Sequence, residues 1–148
     1  MITARYVIDL LGLTPHPEGG WYREMWRSSP YLDGRSAGTA IYFLLESDRP
    51  SAWHRVDADE IWHYYLGAPL TLTMQLRDGE RRNVLGPDLG AEQRPQIVVP
   101  AGIPQSASTF GPWTLCGCTV APGFTFEGFE LIGNGPTSGP EHAGPPVA

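Results

Sequence analysis

Between Thr3 and Leu11 the apolar residues Val7, Leu10 and Leu11 recur at helical spacing, with Thr3 as a cap and Gly12 as a stop, and predict one short helix. Beyond Gly12 the period falls to two. Gly20–Ser28 sets Trp21, Arg23, Met25 and Arg27 against Tyr22, Glu24 and Trp26, a strand with two unlike faces. Thr39–Glu46 (TAIYFLLE) is almost wholly apolar or aromatic, as a strand buried on both sides would be. Ser51–Val56 and Glu60–Leu66 follow, parted by Asp57-Ala58-Asp59. Pro69–Arg77 alternates most regularly, Leu70, Leu72, Met74 and Leu76 opposite Thr71, Thr73 and Gln75, and Asp78-Gly79 supplies a hairpin turn into Glu80–Leu85. Gln96–Val99, Gln105–Thr109, Trp113–Val120 and Phe126–Leu131 bring the total to about nine strands. Many short strands with one helix predict an all-β sandwich, jelly roll or barrel, able to enclose a pocket lined by alternate side chains.

Composition narrows the picture. Among 148 residues, 18 Gly and 15 Pro make up more than a fifth, which fits frequent turns between short strands. The length suits one domain, expected over residues 1–132; the Gly- and Pro-rich stretch 133–148 carries too little apolar surface to order itself and is expected to be a disordered tail. Ten basic and 16 acidic residues give a net charge of -6, which argues against a nucleic-acid partner and a polybasic membrane contact. All ten basic residues are arginine, so Schiff-base chemistry, an internal aldimine and a P-loop lysine are closed. No window approaches a membrane span, and the first residues lack the order of a signal peptide; the expectation is a soluble, cytoplasmic protein. Cys116 and Cys118 stand two apart on one strand, about 6.6 Å between Cα atoms by strand geometry, and read as buried free thiols rather than a redox pair. Trp21, Trp26, Tyr31 and Trp113 exceed what a small surface needs and predict a homodimer formed through the N-terminal segment or Trp21–Arg27.

The densest chemistry lies in residues 53–67, Trp-His-Arg-Val-Asp-Ala-Asp-Glu-Ile-Trp-His-Tyr-Tyr-Leu-Gly. This stretch resembles the first motif of the cupin superfamily, in which a His, a second His two residues on, a Glu four further and a Gly seven further supply metal ligands and a turn. His54, Glu60 and Gly67 fall in register, and Val56 stands where the second His would be. Pro100-Ala101-Gly102-Ile103-Pro104-Gln105 resembles the second motif, with Gln105 at its histidine position. Together with residues 16–28, 39–46, 59–72, 98–102 and 117–131, the chain is similar over about 6–132 to the fifth cupin group. The resemblance implies a double-stranded β-helix jelly roll with one short N-terminal helix, commonly homodimeric. It also implies a metal held by His54, Glu60 and Gln105, if one is held at all. With Val56 and Gln105 as they are, that set is poor, so no cofactor is expected beyond weak binding of a divalent metal.

Without a metal the same residues suit proton transfer. His54 is the expected general base, oriented by Glu60, with Tyr64 and His63 as further catalytic candidates. In a regular strand His63 points away from Glu60, and only a bulge between the two would bring both inside. Arg23 and Arg55 are expected to clamp a substrate anion, with Tyr42, Trp62 and Gln105 completing the binding wall. These residues predict a small-molecule-binding protein, foremost a metal-independent isomerase or epimerase of a small polar carbonyl or sugar-like metabolite. A metal-dependent oxygenase or lyase and a non-catalytic ligand carrier are the alternatives. His16 reads as a loop residue, and Glu18-Gly19-Gly20 as a turn.

Overall fold

The computed structural model describes residues 1–133 apart from Leu32; of the tail expected over 133–148, Gly133 ends the last strand and the rest lies outside the described residues. The helix α1 spans Ala4–Leu11 and follows its sequence signals: Thr3 Oγ1 accepts the Tyr6 N–H at 3.1 Å, and Gly12 closes the last turn at φ 67°. Val7 and Ile8 face inward with Leu13, against Leu44 and Leu115.

Eleven strands follow among the described residues: β1 (Thr14–Pro15), β2 (Trp21–Arg27), β3 (Thr39–Glu46), β4 (Trp53–Val56), β5 (Asp59–Gly67), β6 (Leu70–Leu76), β7 (Gly79–Leu85), β8 (Gln96–Val99), β9 (Gln105–Thr109), β10 (Trp113–Ala121) and β11 (Phe129–Gly133). One sheet runs β1-β2-β3-β10-β5-β8 and the other β11-β4-β9-β6-β7, every strand pair antiparallel. The two sheets face each other as a jelly roll, and their inner side chains, Phe43, Leu45, Trp62, Leu72 and Val99 among them, form the main core. Cys116 and Cys118 point into it as free thiols. No helix among the described residues is long and apolar enough to cross a membrane.

Three departures from plain alternation position the site. The strand expected at Phe126–Leu131 begins only at Phe129, because Phe124–Gly128 turns back on itself and Gly128 N–H bonds Thr125 O. A bulge in β5 leaves Tyr65 without a partner on β10, beyond His63 rather than before it. A second bulge lies in β2, where the register shifts between Glu24 and Trp26. The alternation read through Arg27 therefore stops at Met25.

Candidate active site

The loop between β1 and β2 folds inward. Gly19 and Gly20 take φ of 99° and 80°, and a Cβ on Gly20 would lie 2.8 Å from Leu44 O, so this close approach requires glycine. The turn is pinned by His16 N–H to Gly20 O at 2.9 Å and by Ala52 N–H to Glu18 O at 2.6 Å. It delivers the His16 and Glu18 side chains between the sheets, beside His54 of β4 and Glu60 of β5. Neither residue carries a periodic signal in the sequence, since a loop that folds inward has no alternation to betray it.

His54 is 1% exposed, and its Nδ1 lies 2.8 Å from Ala52 O and 3.2 Å from Glu18 Oε2. A carbonyl only accepts, so Nδ1 carries the proton and Nε2 the lone pair. His16 has the opposite tautomer: its Nδ1 accepts the Glu18 N–H at 3.0 Å, which puts the proton of the neutral ring on Nε2. Burial lowers the pKa of both rings to about 4, helped at His16 by neighbouring His54 and opposed at His54 by the Ala52 carbonyl.

The two carboxyl groups are shifted upward by the same burial. Glu60 rises to about 6, restrained by hydrogen bonds from Gln105 and the Cys118 thiol. Glu18 rises well above the usual carboxylate range, with the charge of Glu60 adding to burial, and its Oε2 makes no hydrogen bond. Gln105 links β9 to β5 of the facing sheet: Trp62 Nε1–H donates to its Oε1 at 2.9 Å, and its Nε2–H donates to Glu60 Oε1 at 2.8 Å. The indole is donor only, which fixes the amide orientation.

These groups border a cavity of about 140 Å3. His16, Glu18 and Glu60 line it together with Tyr22, Ile41, Val56, Val120 and Phe124, and Glu24, Arg27 and Phe126 also border it. His54 is not among the lining residues; it backs Glu18 from behind. Of the remaining sequence candidates, Trp62 and Gln105 stand behind Glu60. Tyr64 packs against the core with its hydroxyl donating to Gly67 O at 2.8 Å. His63 lies on the outer sheet face, stacked on Tyr65 and bonded to Thr119 Oγ1 at 3.0 Å, and Tyr42 sits there against Tyr65. Arg23 reaches Leu11 O at the end of α1, and Arg55 pairs with Glu130 on an exposed face. The cavity thus gathers neither expected arginine, and its cation is Arg27.

A family model described as Cupin superfamily (DUF985) matches residues 5–132. The chain is a cupin. A crystal structure of a Shewanella oneidensis protein is 41% identical to this cupin with a TM-score of 0.84, covering 88% of this chain and 85% of that one. A hypothetical protein from Leishmania major is 35% identical with a TM-score of 0.80, covering 87% and 86%. A mutant form of oxalate decarboxylase from Bacillus subtilis shares the fold at 12% identity and a TM-score of 0.61, over 80% of this chain and 29% of that one. Comparison with curated proteins gave no match.

The donors of this cupin do not fit the metal its motifs imply. Val56 offers only hydrocarbon where a second imidazole would stand. Gln105 has its oxygen engaged by Trp62 and turns its amide hydrogens toward Glu60. Among the described residues no group of three His, Cys, Asp or Glu is arranged to hold an ion.

Proposed function

We propose that this cupin is a metal-independent isomerase or epimerase of a small polar carbonyl or sugar-like compound. The observation that carries this reading is that a buried carboxylate with its pKa raised to about 6 and a neutral imidazole of fixed tautomer line the same cavity. A base works best with a pKa close to the operating pH, and Glu60 meets that condition better than His54, whose ring is lowered to about 4 and stands outside the lining. Glu60 takes the proton from the carbon next to the carbonyl. His16 Nε2–H bonds the carbonyl oxygen as negative charge develops on it, in the manner of a neutral imidazole electrophile. In isomerisation Glu60 returns the proton to the neighbouring carbon, while His16 passes its Nε2 proton to the old carbonyl oxygen and recovers one from the neighbouring hydroxyl, which becomes the new carbonyl; in epimerisation the Glu18 carboxyl gives a proton to the opposite face and Glu60 keeps the one it took. Glu18, which burial and the charge of Glu60 push toward the neutral form, hydrogen-bonds the substrate. His54 backs Glu18 from behind, its Nδ1 3.2 Å from Oε2 while the N–H donates to Ala52 O. We also infer a homodimer, supported by Tyr6 and Leu10 on α1 and by Met25 and Trp26 on β2, all large, apolar and exposed; sedimentation that finds only monomer at micromolar concentration contradicts it.

Incubation in deuterated water with short 2-hydroxy aldehydes, 2-hydroxy ketones and 2-oxo acids tests the reaction. The expected result is solvent deuterium at the carbon next to the carbonyl, read by NMR. Compounds that bind yet stay unlabelled would leave a ligand carrier as the better account.

A further inference from the structure

Strand β2 reverses its own faces. Its inward residues Tyr22 and Glu24 stand opposite Phe43 and Ile41; then Met25 enters as an unpartnered residue, and Arg27 comes to lie opposite Thr39. Thr39 and Ile41 both line the cavity, so the bulge carries Arg27 to the inner side, where strict alternation would have left it outside with Arg23. Arg27 is thereby the one cation lining this cavity among the described residues, with Glu18, Glu24 and Glu60 as the acids.

Its fork is half used. Nε and Nη2 hold the Glu24 carboxylate at 3.2 and 2.6 Å, and Nη2 also donates to Phe124 O at 3.0 Å, while Nη1 makes no hydrogen bond among the described residues. The Arg27 and Glu24 side chains are 43% and 36% exposed, so the pair stands at the mouth, whereas Glu18 and Glu60 close the buried end. A water-exposed pair of this kind contributes little to stability, and holding the fold together does not account for turning the strand over to form it.

We propose that Arg27 anchors an anionic group at the outer end of the substrate, a carboxylate on a short hydroxy- or oxo-compound, and that Glu24 holds the guanidinium until this group displaces it. The proposal deepens the isomerase reading by naming a substrate class, and rests on it only for the carbonyl end. A cavity of about 140 Å3 is the size that admits roughly a six-membered ring, which leaves room for a few carbons between mouth and floor. The guanidinium fork takes a carboxylate or a phosphate through two parallel hydrogen bonds, and the acids Glu24 and Glu60 beside it repel a singly charged carboxylate less than a phosphate with a charge of about −2.

Calorimetric titration of the full chain with pyruvate, its neutral counterpart hydroxyacetone, and methyl phosphate tests the anchor. Pyruvate is expected to bind more tightly than methyl phosphate. Arg27→Met should weaken pyruvate tenfold or more and leave hydroxyacetone unchanged. Because Arg27→Met also loses the bond to Phe124 O, Glu24→Gln gives an independent sign: it keeps Arg27, removes its competing carboxylate, and should tighten pyruvate several-fold. Equal losses of pyruvate and hydroxyacetone in Arg27→Met, no gain in Glu24→Gln, or no pyruvate binding by the unaltered protein would each overturn the anchor. Tighter binding of methyl phosphate would overturn the carboxylate. If pyruvate affinity responds as expected but no deuterium is exchanged, the anchor stands and the isomerase reading fails.

Discussion

Gln105 donates to Glu60 Oε1 at 2.8 Å while its own oxygen accepts the Trp62 indole N–H, so a neutral amide occupies the place at which the second cupin motif carries an imidazole. The amide favours the ionised form of Glu60 and holds its pKa lower than burial alone would set it. Gln105→Leu should therefore move the acidic limb of the pH–rate profile to higher pH. It also leaves the Trp62 N–H buried without a partner, at about 1–3 kcal/mol of stability in a urea unfolding curve. An unmoved limb would show that Glu60 does not set it.

Metal affinity should be weak in the unaltered chain and improvable by one residue. A chelator is expected to leave the melting temperature unchanged, since a tightly held ion at a hundredfold excess over its Kd would contribute about 2.7 kcal/mol. Val56→His restores the absent motif ligand beside the cavity and should make the melting temperature rise with added divalent metal, without raising turnover. A chelator-sensitive melt of the unaltered protein would show that the donors present do hold a metal tightly.

Much of the fold is legible in the chain. Thr39–Glu46, Gln96–Val99 and Gln105–Thr109 have the ends the pattern predicts, and Thr3 and Gly12 bracket α1 as expected. These segments are regular, and each residue's face follows from that of its neighbour. The site is legible only in part because its decisive features break regularity. A single extra residue at Met25 puts Arg27 inside, and the bulge at Tyr65 comes too late in β5 to turn His63 toward Glu60. His16 and Glu18 enter through a turn whose glycines announce positive φ but not direction. His54 and Gln105 are register partners on the neighbouring strands β4 and β9, and Glu60 meets Gln105 from β5 of the facing sheet, yet spacing alone does not tell which of them faces the cavity.

The buried histidines give a pH dependence with a definite sign. His16 and His54 take up protons near pH 4 in the native protein and near 6.5 in the unfolded chain. As pH falls below about 6.5 the unfolded chain binds protons first, so the stability these rings contribute is fully present above 6.5 and lost as pH falls through about 4. Glu60, raised to about 6, acts in the opposite sense and offsets part of this loss between about 6 and 4.5. Ring-nitrogen NMR should find both histidines neutral at pH 6, with the proton on Nδ1 in His54 and on Nε2 in His16. A ring that titrates near 6.5 would mean that it is not enclosed as described.

The division of labour between the two carboxyl groups is the centre of this account, and infrared difference spectroscopy of the carboxyl stretch reads it without a substrate. As the pH is lowered two buried protonated carboxyl bands should grow in, first the one absent from Glu18→Gln and then, with a midpoint near 6, the one absent from Glu60→Gln. A Glu60 band that grows in before the Glu18 band, or one whose midpoint lies far from 6, would contradict the assignment of Glu60 as the base.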